Sequence, residues 1–290
     1  MSAIVANNLG KWYRVQGSVA PTLLGTLTHW LRGGRVEKFW AMKGVSFEIP
    51  RGRTVGVIGP NGSGKSSLLG LVAGTIYPSE GSVRAEGRVA SLLELGAGFH
   101  SELTGRENVF LNAAILGIPR EDVKKRFDHI VEFAGLREFI DMPVKHYSSG
   151  MYVRLGFAVA VETDPDVLLV DEVLAVGDIA FQLKCLGRIR ELQRKGKTIL
   201  FVSHALQTVE EFCHEAFLIH QGKLVERGDP SEVILKYIRS YMGEGGQIQT
   251  QEYGTREAEI TGVTLRDGTG KETGVFTAGQ PMLIDIAYRA

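Results

Sequence analysis

No stretch of this chain is apolar for long enough to cross a bilayer, which takes about 20 residues. Its apolar runs, such as Val167–Val170, are strand-sized. The amino terminus, Met1-Ser2-Ala3-Ile4-Val5-Ala6-Asn7-Asn8, has neither the basic stretch nor the long apolar run of a signal peptide. If the protein serves a membrane, another polypeptide is expected to span it. Neither sign of charge is in excess: Lys+Arg and Asp+Glu number 33 each, for a formal net charge of zero. That balance argues against a nucleic-acid partner, which normally selects a basic surplus. Cysteine is scarce. Cys185 and Cys213 are far apart and neither has metal-ligand spacing, so they read as unpaired thiols of a reducing cytosol. With 290 residues, the chain has room for two domains at most.

Glycine, by contrast, is plentiful at 36 residues, much of it in turns between apolar runs. Residues 45–49 and Thr54–Ile58 read as strands around the turn Pro50-Arg51-Gly52. A glycine-rich loop follows, and then a helix over Lys65–Ala73 with an apolar face. Residues 104–160 read as helical. Thr104 and Glu107 form a capping box, and Val123, Phe127, Ile130, Val131 and Ala134 share one face. Two further strand-like runs, Val167–Val170 and Thr198–Val202, end at Asp171-Glu172 and Ser203-His204. Strands alternating with helices predict an α/β fold with a parallel sheet. After about Met242 the chain turns polar and glycine-rich, as a linker does over residues 243–255. From 256 to 290 the period becomes two, with turn signals at Asp267-Gly268-Thr269-Gly270 and Gly279-Gln280-Pro281. Those residues read as the opening of an antiparallel β domain that this sequence truncates, because two or three strands cannot bury a core alone.

Gly59-Pro60-Asn61-Gly62-Ser63-Gly64-Lys65-Ser66 matches G-x-x-x-x-G-K-[ST], with a strand before it and a helix after it. Glycines let the backbone wrap a phosphate so that successive N–H groups point inward, and the helix N-terminus adds partial positive charge. Lys65 would reach the β/γ-phosphates and Ser66 would bind Mg²⁺. Asp171, at the end of an apolar strand, has the position of a Mg²⁺-binding acid, and Glu172 beside it could polarise an attacking water. Tyr147-Ser148-Ser149-Gly150-Met151 precedes a helix read at 151–160, where Ser149 and the Gly150 amide could meet a γ-phosphate.

These motifs together resemble the ABC transporter ATPases, from Ala3 to about Met242. Tyr147-Ser148-Ser149-Gly150-Met151 stands where that family carries its signature, usually Leu-Ser-Gly-Gly-Gln. With the stretch Leu92-Leu93-Glu94-Leu95-Gly96-Ala97-Gly98-Phe99-His100 through Asn108, it resembles the ATPase subunits of bacterial polysaccharide exporters (O-antigen, capsule and teichoic acid). The resemblance implies a P-loop ABC ATPase with a parallel core sheet, an antiparallel β subdomain and a helical subdomain. It implies ATP binding by Gly59 through Ser67, Ser67 included. Tyr13 would stack on adenine, with Trp12 or Trp40 as alternatives, and residues 15–38 would be an insertion. Ser148, Ser149, Gly150 and Met151 would act in trans, on the ATP of a second copy. Asp178 would lie in the loop that crosses that dimer, and His204 would sense the γ-phosphate. Most relatives place a glutamine between the core and the helical subdomain, but residues 88–108 contain none. Glu94 would then stand in as a Mg²⁺ contact, or the water would be held otherwise. The implied partners are a second copy, an integral membrane subunit and a lipid-linked polysaccharide, at the inner face of the plasma membrane. The C-terminal β segment would recognise the glycan end or serve dimerisation.

Other classes fit less well. A P-loop GTPase or kinase would leave Ser148-Ser149-Gly150-Met151 unexplained, and the Asn-Lys-x-Asp guanine motif is absent. A cassette acting on ribosomes or DNA usually carries a second P-loop or a long heptad run, and neither occurs. Lys65, Asp171, Glu172 and His204 argue against a purely binding role.

Overall fold

The structure, a computed structural model, describes residues 1–15, 37–93, 95–96, 98–171, 178–243, 259–273, 276 and 279–289. Two compact units are present, Met1–Tyr241 and Met242–Ala290.

In the first unit a sheet of six described strands has the order β5-β6-β7-β3-β8-β9. The strands are β3 (Thr54–Ile58), β5 (Val89–Ser91), β6 (Val167–Val170), β7 (Thr198–Val202), β8 (Glu215–His220) and β9 (Lys223–Gly228). All run parallel except β9, which pairs antiparallel with β8. The central strands are nearly continuous apolar runs because both faces are covered. Val167, Leu169, Leu200, Val202, Val55 and Val57 point into one core, with Leu68, Leu69 and Phe217. Leu168, Val170, Ile199 and Phe201 point into the other, with Phe157, Phe181 and Ile189.

The first core is closed by a separate antiparallel sheet, β2-β1-β4, from β1 (Ser2–Val15), β2 (Glu37–Pro50) and β4 (Glu80–Ala85). The second is covered by α4 (Ser149–Glu162), α5 (Ile179–Arg194) and α6 (Leu206–Phe212), counting α1 (Lys65–Ala73), α2 (Gly105–Ile115) and α3 (Arg120–Ala134) before them. A third core joins α2, α3 and α4 through Val109, Ala113, Val123, Ile130, Val131, Leu155 and Val159. Helix α7 (Pro230–Gly243) follows β9. The expected ATPase architecture is thus present. The stretch 104–160, however, is three helices separated by a turn after Leu116 and a longer connection after Gly135. The third of these helices begins at Ser149, two residues earlier than the sequence reading, because the Ser148 side chain caps it by accepting from the Met151 amide at 3.2 Å. The proposed insertion at 15–38 lies mostly outside the described residues, and β2 resumes the chain at Glu37.

The capping box forms as expected: Thr104 Oγ1 accepts from the Glu107 amide, and the Glu107 carboxylate accepts from the Thr104 amide. Those bonds to Thr104 hold the Glu107 carboxyl below its ordinary pKa. Behind the cap sits Asn108, fully buried. Its Oδ1 accepts from the His100 amide at 2.7 Å, and its Nδ2 donates to the carbonyls of His100, Leu103 and Thr104. Asn108→Leu strands these groups in a dry site. It should cost about 2–3 kcal/mol and lower the melting temperature of the chain by roughly 5–10 °C. A calorimetric scan with no shift would show that water takes over the bonds.

In the second unit β10 (Glu259–Asp267) and β11 (Met282–Arg289) pair antiparallel over the full length of β11. The Asp267 carboxylate accepts from the Thr269 and Lys271 amides and closes the turn signal read from the sequence. Residues 282–289 of β11 are exposed on both faces.

Candidate functional site

The strand order β6-β7-β3 puts three catalytic candidates at the same edge of the sheet. Parallel strands end together, so the Asp171 that follows β6, the His204 that follows β7 and the glycine loop that follows β3 converge at their carboxyl ends. An open cleft of about 450 Å³ lies there, lined by Tyr13, Phe39, Ala41, Asn61, Gly62, Gly64, Lys65, Ser66, Ser67, Asp171, Val202 and His204. Glu172, Glu94 and the residues Val176 and Gly177 before Asp178 lie outside the described residues.

The loop wraps because its glycines accept backbone angles other residues resist. Gly64, the cap residue of α1, has φ +109°, and a Cβ there would sit 2.4 Å from the Ala41 carbonyl. The N-terminal amides of α1 are thereby aimed without an intervening side chain. Lys65 is buried, and its Nζ donates to the carbonyls of Gly59 and Pro60 at 2.8 Å each. An ammonium is so held on the floor of the cleft, among groups suited to an anion. Ser66 and Asp171 supply hard oxygen ligands of the kind Mg²⁺ selects.

Of the three aromatics considered for the base, Tyr13 lines the cleft, whereas Trp12 and Trp40 do not. Lys38 lies 4.2 Å from the Trp12 ring centroid, and Lys43 lies 5.6 Å from that of Trp40. Phe39 was missed by sequence reasoning. It faces the cleft because it pairs directly opposite Tyr13 between β1 and β2, and cross-strand partners share a face. Only that register would have revealed it.

Among the described residues, Ser148, Ser149, Gly150 and Met151 do not line the cleft. Ser148 caps α4 and Ser149 opens it. Asp178 does not line it either. It caps α5 by accepting from the Phe181 amide at 2.8 Å, and it pairs with Arg154 of α4 at 2.7 Å. Burial pushes the thiols of Cys185 and Cys213 up to about 12, away from the thiolate form that reacts.

A family model described as "ABC transporter" matches residues 42–175. The O-antigen export system ATP-binding protein RfbB of Klebsiella pneumoniae is 53% identical over 201 residues, covering 69% of this chain and 82% of that protein. The chain belongs to the ABC transporter ATP-binding family. Myxococcus xanthus RfbB is 46% identical over 82% of this chain and 56% of its own length. The teichoic acids export ATP-binding protein TagH of Bacillus cereus is 44% identical over 73% of this chain and 38% of its own. A solved ATP-binding cassette in a post-hydrolysis state with ADP and Pi matches the fold with TM-score 0.63 at 21% identity, over 78% of this chain and 98% of its own.

This ABC ATPase braces its phosphate loop from behind. The Gly222 amide, in the β8–β9 turn, donates to the Ser63 carbonyl at 2.9 Å, and its carbonyl accepts from the Lys43 amide at 2.8 Å. Gly222 has φ +72°, and a Cβ there would lie 2.7 Å from the Ala41 carbonyl, the same atom that crowds Gly64. Gly222→Ala should therefore displace the loop and weaken ATP binding roughly tenfold, the strain being about 1–2 kcal/mol. Titration with a fluorescent ATP analogue checks this; an unchanged Kd would free the turn from that role.

Proposed function

We propose that this ABC ATPase powers export of a lipid-linked polysaccharide, O-antigen in the first place, through a separate membrane-spanning subunit. The observation that carries this reading is the 53% identity to an O-antigen export ATP-binding protein. The 44% identity to TagH supports teichoic acid, or capsule, as the second substrate class. No helix among the described residues is long and apolar enough to cross a membrane, so the pathway would belong to a partner held at the inner face of the plasma membrane.

In this reading the α1 amides and Lys65 hold the β/γ-phosphates, while the Tyr13 face takes the base. Ser66 and Asp171 are the residues that would hold Mg²⁺, with Glu94 as a further candidate; when bound, the ion neutralises charge developing on the phosphates. Glu172 accepts a proton from the attacking water, and His204 contacts the γ-phosphate. Ser148, Ser149, Gly150 and Met151 act on the nucleotide of a second copy, a role supported by their place outside their own cleft. Asp178 is carried to the same interface. ATP then joins two copies, and loss of the γ-phosphate lets them part, which the membrane subunit converts into transport. Residues 1–242 are the ATPase, 243–255 a linker and 256–290 a β segment suited to reading the glycan end.

A strain deleted for this chain should keep its lipid-linked polysaccharide inside and lose it from the surface, and a plasmid-borne copy should restore it. Normal surface polysaccharide in the deletion strain would contradict the assignment.

A further inference from the structure

A family glutamine is missing from residues 88–108, yet Gly96 and Phe99 in that stretch are attached to α4, the helix that Ser149 opens. Tyr152, in the first turn of α4, donates its Oη to the Gly96 carbonyl at 2.9 Å. Its ring meets Phe99 edge to face, with centroids 5.1 Å apart. Gly96 has φ +80°, and a Cβ there would lie 2.3 Å from Tyr152 Cε1. One turn further along α4, Gly156 lets backbone approach backbone: a Cβ on it would lie 2.6 Å from the Gly96 nitrogen. The two ends of the loop are fixed elsewhere. The Leu92 amide donates to the Leu169 carbonyl of β6, the strand that delivers Asp171. The His100 amide donates to Asn108 of α2. Tyr152 is also coupled to the signature itself, since its amide donates to the Ser148 carbonyl at 3.0 Å.

We propose that Tyr152 is a positioning residue that fastens Gly96 and Phe99 to α4, so that these two residues and Ser148-Ser149-Gly150 move as one body. The inference rests on the assignment of that segment to the nucleotide of a second copy. A signature that must meet a γ-phosphate across a dimer has to be held to within a fraction of an ångström, and small misplacements of such groups lower turnover steeply. Tyr152 does not line the cleft, so its contribution falls on turnover and leaves the affinity of the cleft alone.

The test uses the full chain with its membrane subunit, measuring ATPase kcat, the Kd for a fluorescent ATP analogue and the melting temperature. Tyr152→Phe removes the Oη bond and keeps the ring. It should lower kcat by roughly fivefold or more, with Kd and melting temperature unchanged. Gly156→Ala, which pushes Gly96 off the helix while Tyr152 stays, should lower kcat likewise, here together with the melting temperature because its Cβ would meet the Gly96 backbone. Wild-type kcat in Tyr152→Phe would overturn the proposal, and so would a kcat loss in Tyr152→Phe matched by equal losses of affinity or stability. An unmodified chain without ATPase activity would instead overturn the enzymatic reading beneath it, which separates the two failures.

Discussion

Lys65→Ala should all but abolish nucleotide binding and turnover, weakening ATP by on the order of 3 kcal/mol, or about two powers of ten in Kd. The reason lies in where the ammonium is held. Lys65 is 6% exposed, and two of its donors are spent on the carbonyls of Gly59 and Pro60, which also accounts for the shape of the loop. The substitution removes the charge that would meet the β/γ-phosphates, and it strands those two carbonyls in a half-dry site. Isothermal titration with ATP would read the loss directly. Arginine should not rescue it, because a planar guanidinium does not fit a position built around a compact ammonium. Retention of wild-type affinity by the alanine variant would remove Lys65 from the binding role.

Glu172→Gln should leave ATP binding intact and lower kcat by roughly 10²- to 10⁴-fold, the usual worth of a general base. Asp171, one residue earlier, lines the cleft at the end of β6 and cannot take the role without giving up the ion-ligand role proposed for it. In the proposed cycle hydrolysis lets the two copies part, so the variant should also accumulate as an ATP-bound dimer. Size-exclusion chromatography with light scattering, with and without ATP, separates the two states. Wild-type-like turnover would exclude Glu172 as the base.

The local part of the site was legible in the sequence. The phosphate loop is contiguous, so Gly59 through Ser66 announce both their backbone shape and their ligand, and the fully buried, mostly apolar β3, β6 and β7 show where the flanking strands lie. The edges of the fold were harder to read. Strand β1 carries Asn7 and Asn8 in its middle, with Asn8 at φ +46° and register shifts on both pairings, so its alternation breaks where a period of two would be sought. Strand β9, Lys223–Gly228, is half exposed and interleaves Lys223, Glu226 and Arg227 with Leu224 and Val225, a pattern shared with surface loops. Phe39 and Gly222 could not be found at all without the fold. One depends on the register opposite Tyr13, the other on a turn more than 150 residues away from the loop it supports. The start of α4 was misplaced because Ser148-Ser149-Gly150 reads as a loop until the Ser148 cap is seen.

The most direct test of export is the ATPase rate of the chain purified with its membrane subunit, measured with and without lipid-linked polysaccharide. The account predicts that the glycolipid raises turnover and that Glu172→Gln lowers both the basal and the stimulated rate by roughly a hundredfold or more. A steady basal rate indifferent to the glycolipid would leave the ABC ATPase standing and contradict its assignment to polysaccharide export.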